Sequence, residues 1–64
     1  MDRNEKLLIQ MEKKIRQKMK LIESKTITPK DSKIGFLMNQ MKLKDEVLFG
    51  ELMKEYKEIL KKIS

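Results

Sequence analysis

Apolar residues at helical spacing dominate the first third of the chain. Projected at 100° per residue, six of them lie within an arc of about 120°, the width of an amphipathic helix face; they are Leu7, Leu8, Met11, Ile15, Met19 and Ile22. Lys18 lies in the same arc, from which a long side chain can extend its charge to solvent. Asp2 and Glu5 have the spacing of a capping box. We therefore predict a helix over about residues 3–24.

A second helix is predicted to begin at Pro29. Thr28 is a favourable N-cap residue, and Pro29 follows at the first helical position, where its missing N–H is no loss. Asp31 adds a negative charge near the positive end of the helix dipole. Only about four residues connect the two helices, so we expect them to pack as antiparallel neighbours.

The segment after Thr28 allows two interpretations. Its apolar residues keep one helical phase throughout, which favours a single helix over about 29–63; the shared face holds Ile34, Leu37, Met38, Met41, Leu48, Leu52, Tyr56, Ile59 and Ile63. Asp45 interrupts this face within a polar stretch and would also suit the N-cap of a third helix. We prefer a continuous or merely kinked helix, and the alternative is a break near residues 42–45.

These interpretations lead to two all-α folds within a single small domain over residues 1–64. The hydrophobic core of a chain this short rarely contributes more than roughly 3–5 kcal/mol to stability. A hairpin of two unequal helices would leave part of the longer apolar face uncovered, and a second copy would cover it in a helical bundle. The first fold is therefore an antiparallel helical hairpin that forms a homodimer. The alternative is a monomeric three-helix bundle.

Three apolar residues fall outside the main apolar face of the second helix. Phe36, Leu43 and Val47 are separated by steps of seven and four, so they align on the opposite side of a continuous helix. Apolar side chains aligned on one side of a helix indicate contact with another helix of the chain, with a second copy or with another protein. If the helix breaks near residue 44, all three would enter a three-helix core; otherwise they would bind a second copy or another protein. We predict them as partner-binding residues.

The composition argues against catalysis. The chain has no Cys and no His, which excludes a disulfide framework, a thiolate nucleophile, an imidazole base and the usual zinc ligands. Gly35 and Gly50 are isolated within helical patterns and form no phosphate-binding loop. Asp45 alone places a carboxylate in an apolar phase, and a helix cap explains it better than an acid–base role. We expect no enzyme activity, no cofactor and no metal.

The net charge of +6 is concentrated in the first part of the chain, where the basic side chains form a pattern. Lys6, Lys13 and Lys20 recur every seven residues, with Arg16 beside them, on the side of the first helix opposite its apolar face. We name these four residues the basic stripe. Such a stripe would suit phosphates or an acidic protein surface, and it would equally serve as a solvated face.

Together these features predict a small non-enzymatic regulatory or adaptor protein that binds another protein through a helical face. The alternative is a nucleic-acid-associated protein that binds phosphates with the basic stripe. No apolar run reaches the roughly 18–20 residues of a membrane span, so we expect a cytoplasmic protein with no membrane role. The absence of Ala beside 14 Lys and 6 Met indicates an AT-rich genome, either that of a bacterium, its phage or plasmid, or that of an AT-rich eukaryote.

Overall fold

A computed structural model describes residues 3–63, apart from the side chain of Asn4. Every regular element among these residues is a helix, which confirms the all-α prediction: α1 Arg3–Glu23, α2 Pro29–Ser32, α3 Ile34–Lys44 and α4 Glu46–Ile63. The bounds of α1 agree with the predicted helix over 3–24. The predicted cap at Asp2 lies outside the described residues.

The end of α1 is closed by backbone hydrogen bonds. The N–H of Lys25 donates to the carbonyl of Ile22 at 3.0 Å, and the N–H of Thr26 donates to that of Leu21 at 2.9 Å. This pair of bonds is a Schellman motif, which needs a residue in the left-handed region. Lys25 takes that place with φ 62° although it is not glycine.

The start of α2 follows the prediction. The side-chain oxygen of Thr28 accepts a hydrogen bond from the N–H of Asp31 at 3.2 Å, and Pro29 occupies the first turn. What the sequence does not predict is the end of this helix after one turn. Lys33 adopts φ 58° and separates α2 from α3.

The turn between α2 and α3 is held by a buried serine. The hydroxyl of Ser32 donates to the carbonyl of Pro29 at 2.7 Å and accepts from the N–H of Ile34 at 3.2 Å. The ammonium group of Lys18 donates to the backbone carbonyl of Ser32 at 2.7 Å. Lys18 thus extends from the apolar side of α1 to bind the last carbonyl of α2, where the helix dipole favours a positive charge.

The helix over 29–63 is interrupted a second time at Asp45. This residue has an extended backbone, with φ −154° and ψ 98°, and its N–H closes α3 by donating to the carbonyl of Met41 at 2.8 Å. Its carboxylate accepts from the N–H of Leu48 at 3.1 Å and so caps α4. The preferred interpretation, a continuous or merely kinked helix, is wrong here. The alternative, a break near residues 42–45 with Asp45 as a cap, is what the structure has.

The two breaks let α1, α3 and α4 pack on one another. Arg16 pairs with Glu55 at 2.8 Å and Glu23 pairs with Lys62 at 3.6 Å, and each pair joins residues 39 positions apart, so α1 and α4 run parallel. The last turns of α1 lie beside the start of α3, and its first turns lie beside Asp45. The helix α3 is therefore antiparallel to both of its neighbours.

The core forms where these three helices meet. Half-buried residues of α1 and α4, among them Leu8, Met11, Leu48 and Ile59, pack around it. Because one copy closes this core, a second copy is not needed to bury its central residues. Among the described residues, the buried apolar side chains are Ile15, Met19, Ile22, Ile34, Met38, Met41 and Leu52.

Candidate partner-binding surface

The three predicted partner-binding residues stay outside the core. Phe36 is 66% exposed, Leu43 88% and Val47 76%. The expectation that a break near residue 44 would draw them into a three-helix core is therefore wrong. We call these three residues the apolar patch. Keeping each of them in water forgoes roughly 1.5–3 kcal/mol of burial.

Their positions on the helices explain this exposure. Phe36 and Leu43 are seven positions apart on α3, so they lie two turns apart on one side of it. The opposite side of the same helix carries Ile34, Met38 and Met41, which fill the core. Val47 lies in the first turn of α4, directly after the break.

A groove between α1 and α3 extends the apolar patch at Phe36. The groove has a volume of about 500 Å³, and Phe36, Leu37 and the partly exposed Leu21 give it apolar walls. Its polar lining consists of Lys14, Gln17, Lys18 and Lys33, with no carboxylate. We call it the basic groove.

The lysines of the basic groove differ in their surroundings. Lys18 is partly buried and is held by its hydrogen bond to the carbonyl of Ser32. Lys14 and Lys33 are exposed, and neither forms an ion pair within residues 3–63. The charges of Lys14 and Lys33 are therefore available to a ligand.

The basic stripe predicted from the sequence is divided by the fold. Arg16 binds two carboxylates, those of Glu12 and Glu55, each at 2.8 Å, and these hydrogen bonds raise the pKa of its guanidinium. Lys20 lines a groove between α1 and α4 together with Glu23, Glu55 and Glu58. Lys6 and Lys13 are exposed. Arg16 is thus bound by acidic side chains, whereas Lys20 is exposed in a groove that also holds three carboxylates.

The basic groove is not predicted from the sequence. Lys14, Lys18 and Leu21 follow helical spacing on α1, which is a pattern that could have indicated one side of it. Its other side, with Lys33 and Phe36, depends on how α3 packs. No local pattern in the sequence joins Lys33 to Lys14.

A second apolar groove has the opposite charge. It lies between the first turns of α1 and the α3–α4 junction, and has a volume of about 270 Å³. Leu8, Ile9 and Leu48 line it together with the carboxylates of Glu5, Glu12 and Asp45. We call it the acidic groove. Two apolar surfaces of one small protein therefore present opposite charges.

The carboxylate of Asp45 and the side chain of Tyr56 have surroundings typical of residues that stabilise the fold. The carboxylate of Asp45 caps α4, which confirms the cap interpretation. Burial raises the pKa of Tyr56, the single tyrosine of the chain. Within residues 3–63, no three acidic side chains lie close enough together to hold a metal ion.

Comparison with protein-family models, with curated proteins and with solved structures finds no match to this chain. None of the helices in residues 3–63 is both long enough and apolar enough to pass through a bilayer.

Proposed function

We propose that this protein is a small non-enzymatic regulator or adaptor that binds another protein through the apolar patch. The observation that carries this proposal is the exposure of Phe36, Leu43 and Val47 beside a core that is complete without them. Burying such side chains against a partner would recover the burial free energy that folding leaves unused. An apolar helix face of this kind is a common means of docking between proteins.

The homodimer remains a prediction, with a new basis. The core residues already lie inside one copy, so a dimer of two chains that each keep this closed fold would have to bury the apolar patch instead. The net charge of +6 opposes the approach of two identical chains. For this reason we favour a different protein as the partner, in keeping with a cytoplasmic regulator.

The test is capture of a partner from native cells with matched variants. We expect a protein that binds the wild type to be lost with the double variant Leu43→Asp and Val47→Asp. The control is Leu7→Asp, which makes one such substitution at a partly exposed apolar residue outside the apolar patch. Circular dichroism verifies that each variant folds, and the purified partner must bind directly.

Equal capture by the wild type and the folded double variant would refute the apolar patch as the binding surface. Loss of capture with Leu7→Asp as well would show that the captured protein is held by nonspecific apolar contacts and not by the apolar patch. Sedimentation equilibrium of the wild type alone tests the homodimer. A mass of one chain at all concentrations would exclude it.

A second candidate is binding of nucleic acid through the basic stripe. It is favoured by Lys6 and Lys13, which are exposed and form no ion pair within the described chain. It is weakened at Arg16, since two carboxylates already occupy the guanidinium. Gel shifts with DNA and RNA at two salt concentrations test it, because phosphate binding weakens as salt rises. No shift at low salt would eliminate this function.

A further inference from the structure

Three grooves on the described part of this bundle differ in charge although each has an apolar lining. The groove between α1 and α4 carries three basic and three acidic side chains, and two ion pairs join members of the two sets. The acidic groove carries three carboxylates and no basic residue. The basic groove carries three lysines and no carboxylate. Of these three, the basic groove alone has lysines without an ion pair within residues 3–63 and also contacts the apolar patch at Phe36.

The dimensions of the basic groove suit a helix. Along α1 its wall extends from Lys14 to Leu21, which is about two turns or 10 Å. Its walls are two antiparallel helices, α1 and α3. A partner helix lying between them would join α1, α3 and α4 in a four-helix arrangement. Such a helix would place apolar side chains on Leu21, Phe36 and Leu37.

The charge of the groove selects among possible occupants. Lys14 and Lys33 stand on opposite walls, one on α1 and one before α3, with the apolar side chains of the groove in the same cleft. Carboxylates flanking the apolar stripe of a bound helix would meet both lysines, and the net charge of +6 would speed the encounter. Nucleic acid would satisfy the lysines but would leave most of the apolar lining uncovered.

We propose that the basic groove binds an acidic amphipathic helix of a partner protein. This inference rests on the proposed function, because it names the chemistry of the partner that the apolar patch would bind. Phe36 belongs to both surfaces and would be the central anchor. Lys14 and Lys33 would select acidic helices over basic ones, and Lys18 would mainly position the start of α3 through Ser32.

A synthetic peptide provides a defined probe. It has about 15 residues, which is four helical turns, with Leu at positions i, i+3, i+4 and i+7 and Glu at most others, and a fluorescent label. Fluorescence anisotropy at physiological salt measures its Kd. The first control peptide replaces Glu by Lys, and the second replaces Leu by Ser. We expect both to bind at least about tenfold more weakly than the acidic amphipathic peptide.

Matched variants then locate the binding surface. The groove variant is Lys14→Glu with Lys33→Glu, and the control is Lys54→Glu with Lys57→Glu, which changes the net charge equally at exposed positions of α4. We expect the groove variant to weaken binding at least about tenfold and the control less than about threefold. Leu21→Ser tests the apolar wall without altering charge or the apolar patch, and should also weaken binding.

Several results would overturn the inference. They are no binding of the peptide up to about 1 mM, equal weakening by both double variants, and tighter binding of an oligonucleotide that the groove variant abolishes. A wild-type chain that sediments as a multimer, and returns to one chain in the groove variant, would assign the groove to a second copy. Circular dichroism of each variant excludes loss of fold as the cause.

The capture experiment separates this inference from the proposed function. If the groove variant retains the cellular partner while Leu43→Asp with Val47→Asp loses it, the apolar patch is the binding surface and the inference fails. If neither variant affects capture, the proposed function fails. Loss of the partner with both variants, together with peptide binding that depends on Lys14 and Lys33, supports both.

Discussion

The two faces of α3 carry similar side chains in different surroundings. On one face Ile34, Met38 and Met41 are buried between α1 and α4. On the other face Phe36 and Leu43 lie mostly in water. A helix that is apolar on both faces has more apolar surface than its own fold covers. The difference shows that folding of this chain accounts for only one of the two faces, and that the second is available for binding.

The largest expected effect comes from truncating each face in turn. Ile34→Ala should lower the free energy of unfolding by about 2–4 kcal/mol, because it leaves a cavity in a closed core. Leu43→Ala removes a similar side chain from the solvated face and should change stability by less than about 0.5 kcal/mol. Urea unfolding followed by circular dichroism measures both. Comparable losses would show that the exposed face is buried in solution.

The next effect concerns the residue that ends α3. Asp45→Ala removes the hydrogen bond to the N–H of Leu48 and should destabilise the fold by about 1 kcal/mol. Asp45→Asn is the matched control, because its side-chain oxygen can still accept that bond. Thermal unfolding of both variants measures the difference. If Asn and Ala were equally destabilising, the cap geometry would not account for the break.

A smaller effect of opposite sign is expected where α3 begins. Lys33 holds φ 58°, which is costly for a residue with a Cβ. Lys33→Gly should therefore stabilise the protein by about 0.5 kcal/mol, after the greater freedom of glycine in the unfolded chain is subtracted. Lys30→Gly, within the helical turn of α2, should instead destabilise it. The midpoint of thermal unfolding distinguishes the two signs.

The smallest expected effect concerns the pH dependence of Tyr56, which packs on the core from α4. Burial raises the pKa of its hydroxyl above the ordinary value of about 10. The unfolded chain therefore loses this proton at lower pH than the folded one, and stability should fall as pH rises above about 10. Absorbance of tyrosinate gives the pKa directly, because there is one tyrosine. Tyr56→Phe should remove this part of the pH dependence.

Local features of the fold were predictable, and their assembly was not. The apolar arc of α1, the cap at Thr28 with Pro29, and the capping role of Asp45 follow from short-range chemistry. Whether α3 and α4 would be continuous depended on tertiary packing, because the apolar phase runs through the break. The αL residue Lys33 has no sequence signature, since glycine is the usual residue there.

The candidate site was predictable to the same extent. Steps of seven and four set Phe36, Leu43 and Val47 apart from the main apolar face, and all three are exposed although the helix breaks between Leu43 and Val47. The basic stripe was predicted from positions on α1 alone. That prediction could not include Glu55 on α4, which binds Arg16. Lys14 and Lys33 line the same groove because α1 and α3 pack antiparallel, and this packing could not be predicted from local sequence.

The single extended residue between α3 and α4, Asp45, is also a hinge about which α4 can move away from the rest of the bundle. If Asp45 adopted helical dihedral angles, α4 would swing away from its own α1 and continue the axis of α3. Two such opened chains would regain every core contact by exchanging α4, which is domain swapping. Refolding at high concentration should therefore yield some intertwined dimer, and lengthening the link at Asp45 by a few glycines should suppress it.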